Sequence, residues 1–256
     1  RVADPEDRPD PASGKADIVP GSTGQLAMSE RKADVLVTVT RAWAVVRLAV
    51  RIGEPVVNGV ATPGDGVRLN LKDARGALKG NTALEVDSGG FFGGGATFAA
   101  TLADLKGDSV DVRPTDLLEF RQSATKIDLP IPTLTADIDT TADTVSGTAP
   151  AGAALHVTAS ILFFNASRDV VADATGRYAA DFKGAFDLVG GIGVEVVYTV
   201  PEGHTITYAT AASSVRVWPE AGHVDGSVAG GADVTVSALS ASGQLKGRGT
   251  TTANFL

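Results

Sequence analysis

The 256 residues contain no cysteine, and that one absence removes disulfide staples, thiolate metal sites, thioether haem attachment and cysteine nucleophiles together. Aromatic residues are scarce as well: Phe, Tyr and Trp together make up 5%, which offers no sugar-stacking platform. Positive charge is in deficit. A net charge of −8 repels phosphate backbones, which argues against nucleic acid as a partner and disfavours anionic membrane surfaces. Long apolar runs are missing too. The most apolar stretch, residues 42–50, is short and carries Arg47, so no membrane insertion is expected. No secretory leader is visible, and a start at Arg1 with a single methionine, Met28, is what a processed or trimmed chain shows.

What is present is Ala, Val, Thr and Gly. Hydrophobic residues reach 43%, enough for a real core, while thirty glycines among many Val and Thr residues read as strands punctuated by turns. The length suits two or three small domains rather than one sandwich. The expected class is all-β.

One spacing recurs three times. Val57-Asn58-Gly59 is followed by Gly64, then Val67, Leu69 and Leu71. Val145-Ser146-Gly147 is followed by Gly152, then Leu155, Val157 and Ala159. Val224-Asp225-Gly226 is followed by Gly231, then Val234, Val236 and Ala238. The copies lie about 80 to 90 residues apart, the scale of one seven-stranded sandwich. The second glycine of each copy suits a tight turn with positive φ. The apolar residues after it alternate at a period of two, which buries one face of a strand. Further matches follow. Asp87-Ser-Gly-Gly-Phe91 parallels the Asp173 to Tyr178 turn, the Gly107 to Val112 stretch parallels Gly191 to Val196, and Gly76-Ala-Leu78-Lys-Gly80 parallels Gly243-Gln-Leu245-Lys-Gly247.

This set of residues, best carried by Ala61-Thr62-Pro63-Gly64 and Ala149-Pro150-Ala151-Gly152, resembles the bacterial Ig-like repeats of large surface adhesins over about residues 55–256. The resemblance implies tandem immunoglobulin-like β-sandwiches and an extracellular or cell-surface location. The closing D-x-x-G-N segment of that family is missing here, so the ligand and calcium habits of some relatives do not carry over.

The two ends differ from the middle. Residues 1–33 are rich in Pro, Asp and Ser and read as an extended arm or linker. Residues 34–54 read as a β-strand region that serves as donor or completing strands. There Val35, Val37 and Val39 alternate with Leu36, Thr38 and Thr40, then the cleaner apolar face passes to Ala44, Val46, Leu48, Val50 and Ile52. The swap near Arg41 fits a bulge or two consecutive strands, and the valines favour strand over a helix across 42–52. Sandwich one is expected at 55–133 and sandwich two at 134–219. Residues 220–256 form a partial repeat that needs strands from another segment or chain. Head-to-tail completion between chains would build a filament or layer, with Val35, Val37, Val39, Trp43, Val46 and Leu48 meeting Val234, Val236 and Phe255. The alternative is an adhesin or carbohydrate-binding accessory module trimmed from a longer array, with a glycan or cell-surface ligand.

Side chains for chemistry are few. His156, His204 and His223 lack metal-pair spacing and read as surface histidines. The glycine cluster 89–95 has no following Lys-Ser/Thr and reads as a hairpin or bulged strand, not a phosphate loop. Trp43 and Trp218 are isolated and read as core or edge plugs. Asp137, Asp139 and Asp143, just before the second copy, are candidates for calcium at a domain junction. No catalytic constellation and no cofactor is expected, and the chain is expected not to be an enzyme.

Overall fold

The computed structural model describes residues 18–32, 35–87, 96–228 and 233–253. Among the described residues every regular element is a β-strand except one 3-10 turn at Pro219–Ala221. The all-β class therefore stands.

A hairpin of β1 (Thr23–Lys32) and β2 (Val35–Ala44) comes first. Seven strands follow: β3 (Arg47–Arg51), β4 (Val56–Val60), β5 (Gly66–Lys72), β6 (Leu78–Glu85), β7 (Thr97–Thr101), β8 (Leu117–Gln122) and β9 (Thr125–Pro130). The same order returns as β10 (Asp137–Asp139), β11 (Thr144–Thr148), β12 (Ala154–Ile161), β13 (Phe164–Val171), β14 (Arg177–Asp181), β15 (Gly193–Thr199) and β16 (Thr205–Ala211). A third round opens with β17 (Ser214–Trp218), β18 (His223–Ser227), β19 (Asp233–Leu239) and β20 (Leu245–Thr252).

In the first round β3-β4-β7 lies against β6-β5-β8-β9, with Phe98 and Phe120 stacked across the gap at 6.3 Å between ring centroids. In the second, β10-β11-β14 lies against β13-β12-β15-β16. Period-two alternation drives both. Val67, Leu69 and Leu71 on β5, and Leu155, Val157 and Ala159 on β12, are all buried, while their neighbours Arg68 and His156 face water. Buried polar groups are satisfied. Gln122 accepts from the Thr62 amide at 3.0 Å and donates to the Thr62 carbonyl at 2.8 Å. Asp116 accepts from the Lys79 ammonium at 2.5 Å and the Arg113 amide at 2.8 Å.

Three boundaries fall elsewhere than expected. Residues 23–32, placed in an extended arm, are strand β1. Each round starts one strand before its V-x-G, so β3 joins the first sandwich and β17 leaves the second for the third round. The face swap near Arg41 resolves into two consecutive strands, because β2 ends at Ala44 and β3 begins at Arg47. The glycine cluster 89–95 lies outside the described residues.

The V-x-G glycine has a reason that strand periodicity does not reveal. A Cβ on Gly59 would lie 2.8 Å from the Arg47 carbonyl oxygen and 2.6 Å from the Phe98 ring. On Gly147 it would overlap the Thr135 carbonyl and sit 2.8 Å from the Tyr178 hydroxyl; on Gly226 it would overlap the Ser214 carbonyl. The blocking carbonyl stands twelve residues upstream each time. Each round thus lays its opening segment directly on the glycine of the next strand. In the second round Tyr178 closes the stack by donating its hydroxyl to the Thr135 carbonyl at 2.6 Å, and burial pushes its phenol well above the ordinary range. Gly64 and Gly152 hold the turn that follows, both at φ 75°.

Replacing Gly147 by Ala is expected to cost about 1–3 kcal/mol by overpacking against backbone that cannot yield. Gly247→Ala, which meets nothing within 4 Å, should cost less than about 1 kcal/mol. Urea unfolding of the two variants checks the contrast.

Candidate interaction surfaces

Residues that are buried in the two complete sandwiches come to the surface at both ends. Val217 and Val224 occupy the places of Val50 and Val57 by their shared pairing, and Val236 occupies that of Leu69 and Val157. Val50, Val57, Leu69 and Val157 are at most 2% exposed, whereas Val217, Val224 and Val236 are 59%, 37% and 38% exposed. Val234 is half-buried. The hairpin at the other end repeats the situation. Its register places Met28 opposite Val39, Glu30 opposite Val37 and Gly24 opposite Trp43. Leu26, Met28, Val37, Val39 and Trp43 therefore share one face with Glu30 and Arg41, and all are exposed. The opposite face carries Gln25, Ser29, Arg31, Thr38 and Thr40 together with Ala27, Leu36 and Ala42.

The expected contact residues divide accordingly. Val37, Val39, Trp43 and Val236 lie on exposed faces, and Val35 occupies the turn end of β2 opposite Lys32. Val46 and Leu48 do not belong with them. They are 8% and 0% exposed because β3 is a strand of the first sandwich and turns them into its own core. Phe255 lies outside the described residues. Trp43 lies over Gly24, and Trp218 donates its indole N–H to Asp225 at 3.1 Å beneath the Arg216 guanidinium. Each tryptophan is thus an edge plug of a two-stranded ribbon.

Asp137 and Asp139 are exposed on β10. Asp139 accepts from the Thr141 and Ala142 amides at 2.8 and 3.0 Å, and Asp143, at φ 53°, accepts from the Leu188 amide at 2.9 Å. These carboxylates hold turns. Among the described residues no group of three or more His, Asp or Glu side chains is placed to hold a metal ion.

A seam between the two sandwiches is the feature the sequence reading missed. Strand β16 of the second pairs in parallel with β3 of the first, joining Thr205 to Ala49, Ile206 to Val50 and Thr207 to Arg51. Seven strands, β13-β12-β15-β16-β3-β4-β7, therefore run as one sheet through both units. The Ile52 amide donates to the Thr207 carbonyl at 2.9 Å, and the Arg51 guanidinium pairs with Glu195 on β15 and with Glu54. His204 locks the seam. Read from its turn as a surface histidine, it is 5% exposed, and its Nδ1 accepts the Leu48 amide at 3.3 Å. Its turn is also covered by Pro20, which leaves no room for a Cβ on Gly203. His156, by contrast, stays on a solvent face and pairs with Asp169 at 2.6 Å, and His223 is exposed.

No family profile matches the chain, and no curated protein matches it. Among solved structures the chain is similar to a tetra-tandem repeat in the extending region of a large adhesion protein, at 16% identity and a TM-score of 0.24, over 92% of this chain and 71% of that one. It is similar to the BSP domain of a biofilm-associated protein, also at 16% and 0.24, over 65% of this chain and 29% of that one. A third likeness is to a trypsin-activated alpha-2-macroglobulin from Escherichia coli, at 11% and 0.21, over 89% and 23%. None of them shows a family.

Burial pushes the His204 imidazole below its ordinary value, against the opposing pull of Glu202. Nδ1 can accept the Leu48 amide only while unprotonated. The unfolded chain therefore takes the proton first, and the stability His204 contributes, complete above about pH 6.5, is lost as the pH falls through its folded value. Melting temperature should fall between pH 7.5 and 5.5, and His204→Asn should show a shallower fall over that interval.

Proposed function

We propose that this chain is a structural subunit of an extracellular filament or surface layer in which copies join head to tail by β-strand complementation. The observation that carries the reading is the pair of apolar faces left open at the two ends. The third round holds the first four strands of the seven-strand pattern, β17 to β20. The hairpin β1-β2, two antiparallel strands in tandem with one apolar face, matches the pattern's last two, β8-β9 and β15-β16. One copy's hairpin laid beside β19 of the next would cover Val234 and Val236 with Met28, Val37 and Val39. Each side chain taken fully from water is worth about 1.5–3 kcal/mol before the cost of association is deducted. The contact uses different surfaces on the two partners and so does not close on itself.

The work is mechanical, carried by strand pairing and valine-rich faces, with no turnover, no cofactor, no nucleic-acid partner and no membrane insertion. An extracellular, cell-surface setting follows from the adhesin-like repeat spacing. A second reading rests on the same faces: half-rounds of neighbouring repeats on one longer polypeptide would cover them equally well, making the chain an adhesin or carbohydrate-binding accessory module.

Light scattering across a concentration series separates the two. Head-to-tail joining predicts growing mass with concentration, and Val37→Asp with Val39→Asp should lower the association constant at least tenfold while the melting transition of the two sandwiches is kept. A wild-type chain that stays monomeric at high concentration favours the longer-polypeptide reading and ends the polymer.

A further inference from the structure

The second sandwich carries an apolar spike that the other rounds lack. In the first round the turn between β5 and β6 is polar, with Asp73 accepting the Arg75 and Ala77 amides at 2.9 Å each and Gly76 at φ 81°. In the third, Ser240 accepts the Gln244 amide at 3.0 Å and Gly243 takes φ 80°. The corresponding turn of the second round is Leu162-Phe163, between β12 and β13. Leu162, Phe163 and Phe164 are 89%, 96% and 70% exposed. Leu162 also takes φ 51°, a left-handed conformation that glycine or asparagine adopts at far less strain. No charged residue occurs across residues 160–167, so little hydration is lost when this tip is covered. Both strain and exposure are concentrated where function is commonly found.

An apolar-walled cavity lies elsewhere on the same chain. Its volume of about 600 Å³ falls within the range of pockets that bury a ligand. Ile127, Pro130, Pro150, Tyr198, Val200 and Pro201 give it apolar walls, and the charged Lys126, Asp128 and Glu202 are exposed among its lining residues. Spike and cavity stand at opposite poles of the second sandwich. Ser160, next to the spike, pairs with Gly193, whereas Leu155 at the far end of β12 pairs with Tyr198 of the cavity wall. A chain cannot fill its own cavity with its own spike.

We infer that the Leu162-Phe163-Phe164 spike of one copy docks in the proline- and tyrosine-lined cavity of a second copy. The two sandwiches stand side by side along the hydrogen-bonding direction of their common sheet, while spike and cavity mark the two ends of the strands. The contact therefore runs across the row of sandwiches, and it links rows into a layer. It is independent of the end faces formed by β1-β2 and β17-β20.

The absence of cysteine makes cross-linking the direct test. Chains carrying Asn165→Cys, exposed beside the intact spike, are mixed with chains carrying Lys126→Cys under mild oxidation. The mixed disulfide should form at least tenfold faster than with Leu105→Cys in place of Asn165→Cys, Leu105 being 92% exposed elsewhere. The same preference is expected in the Val37→Asp/Val39→Asp background, where loss of end-face association is read separately. Phe163→Ser/Phe164→Ser should abolish lateral association with the melting temperature unchanged. Equal cross-linking rates, or lateral association that survives the double serine change, overturn the inference. So does tight binding of wild-type chain to phosphatidylcholine vesicles through the spike with no mixed disulfide in solution.

Discussion

Strand-opening carbonyls resting on bare glycines are what the architecture depends on. Arg47, Thr135 and Ser214 each present a carbonyl oxygen to the glycine of the V-x-G that follows, at a separation no Cβ permits. That contact sets the opening segment of a round directly against the strand that follows. In the first round the opening strand is β3, which pairs with β4 on one edge and receives β16 on the other.

The seam shows how charge decides which edges join. The outer edge of β3 carries Arg51, which meets Glu195 across the junction. Its counterpart β10 is three residues long, with Asp137 and Asp139 exposed on either side of Ile138, and β9 ends in Pro130. Short length, like charge and proline are the usual guards against unwanted edge pairing. Equivalent strands in a repeat therefore differ in whether they pair with a neighbouring sandwich, and they differ both in length and in the charges they carry.

Much of the fold was legible because it is local. Alternation at Val67-Leu69-Leu71 and at Leu155-Val157-Ala159 identifies half-buried strands, and glycines at a constant offset identify the turns between them. The place of the opening strands in their rounds was not legible, although 34–54 was read as strand. Arg47–Arg51, Asp137–Asp139 and Ser214–Trp218 share a structural place but no residue pattern, because what the place requires is a backbone carbonyl. A clue did exist in the glycine twelve residues on, whose reason is steric and not conformational. His204 stayed hidden for a different cause. Its partner, the Leu48 amide, is 156 residues away, and nothing in a Pro-Glu-Gly-His turn announces burial under another repeat. Val37 and Val39 lie on an exposed face of β2, whereas Val46 and Leu48, grouped with them from the sequence, come after the face swap near Arg41 and belong to the next sandwich.

The direction of β3 and β16 has a consequence for load. These strands are parallel neighbours, yet one opens the two-sandwich unit at Arg47 and the other closes it at Ala211. Tension applied to the polypeptide on either side pulls them in opposite senses along their own axes. The bonds between them are strained together in shear instead of being opened one after another like a zip. A unit tied in this way shields both of its cores from stretch until the tie itself slides.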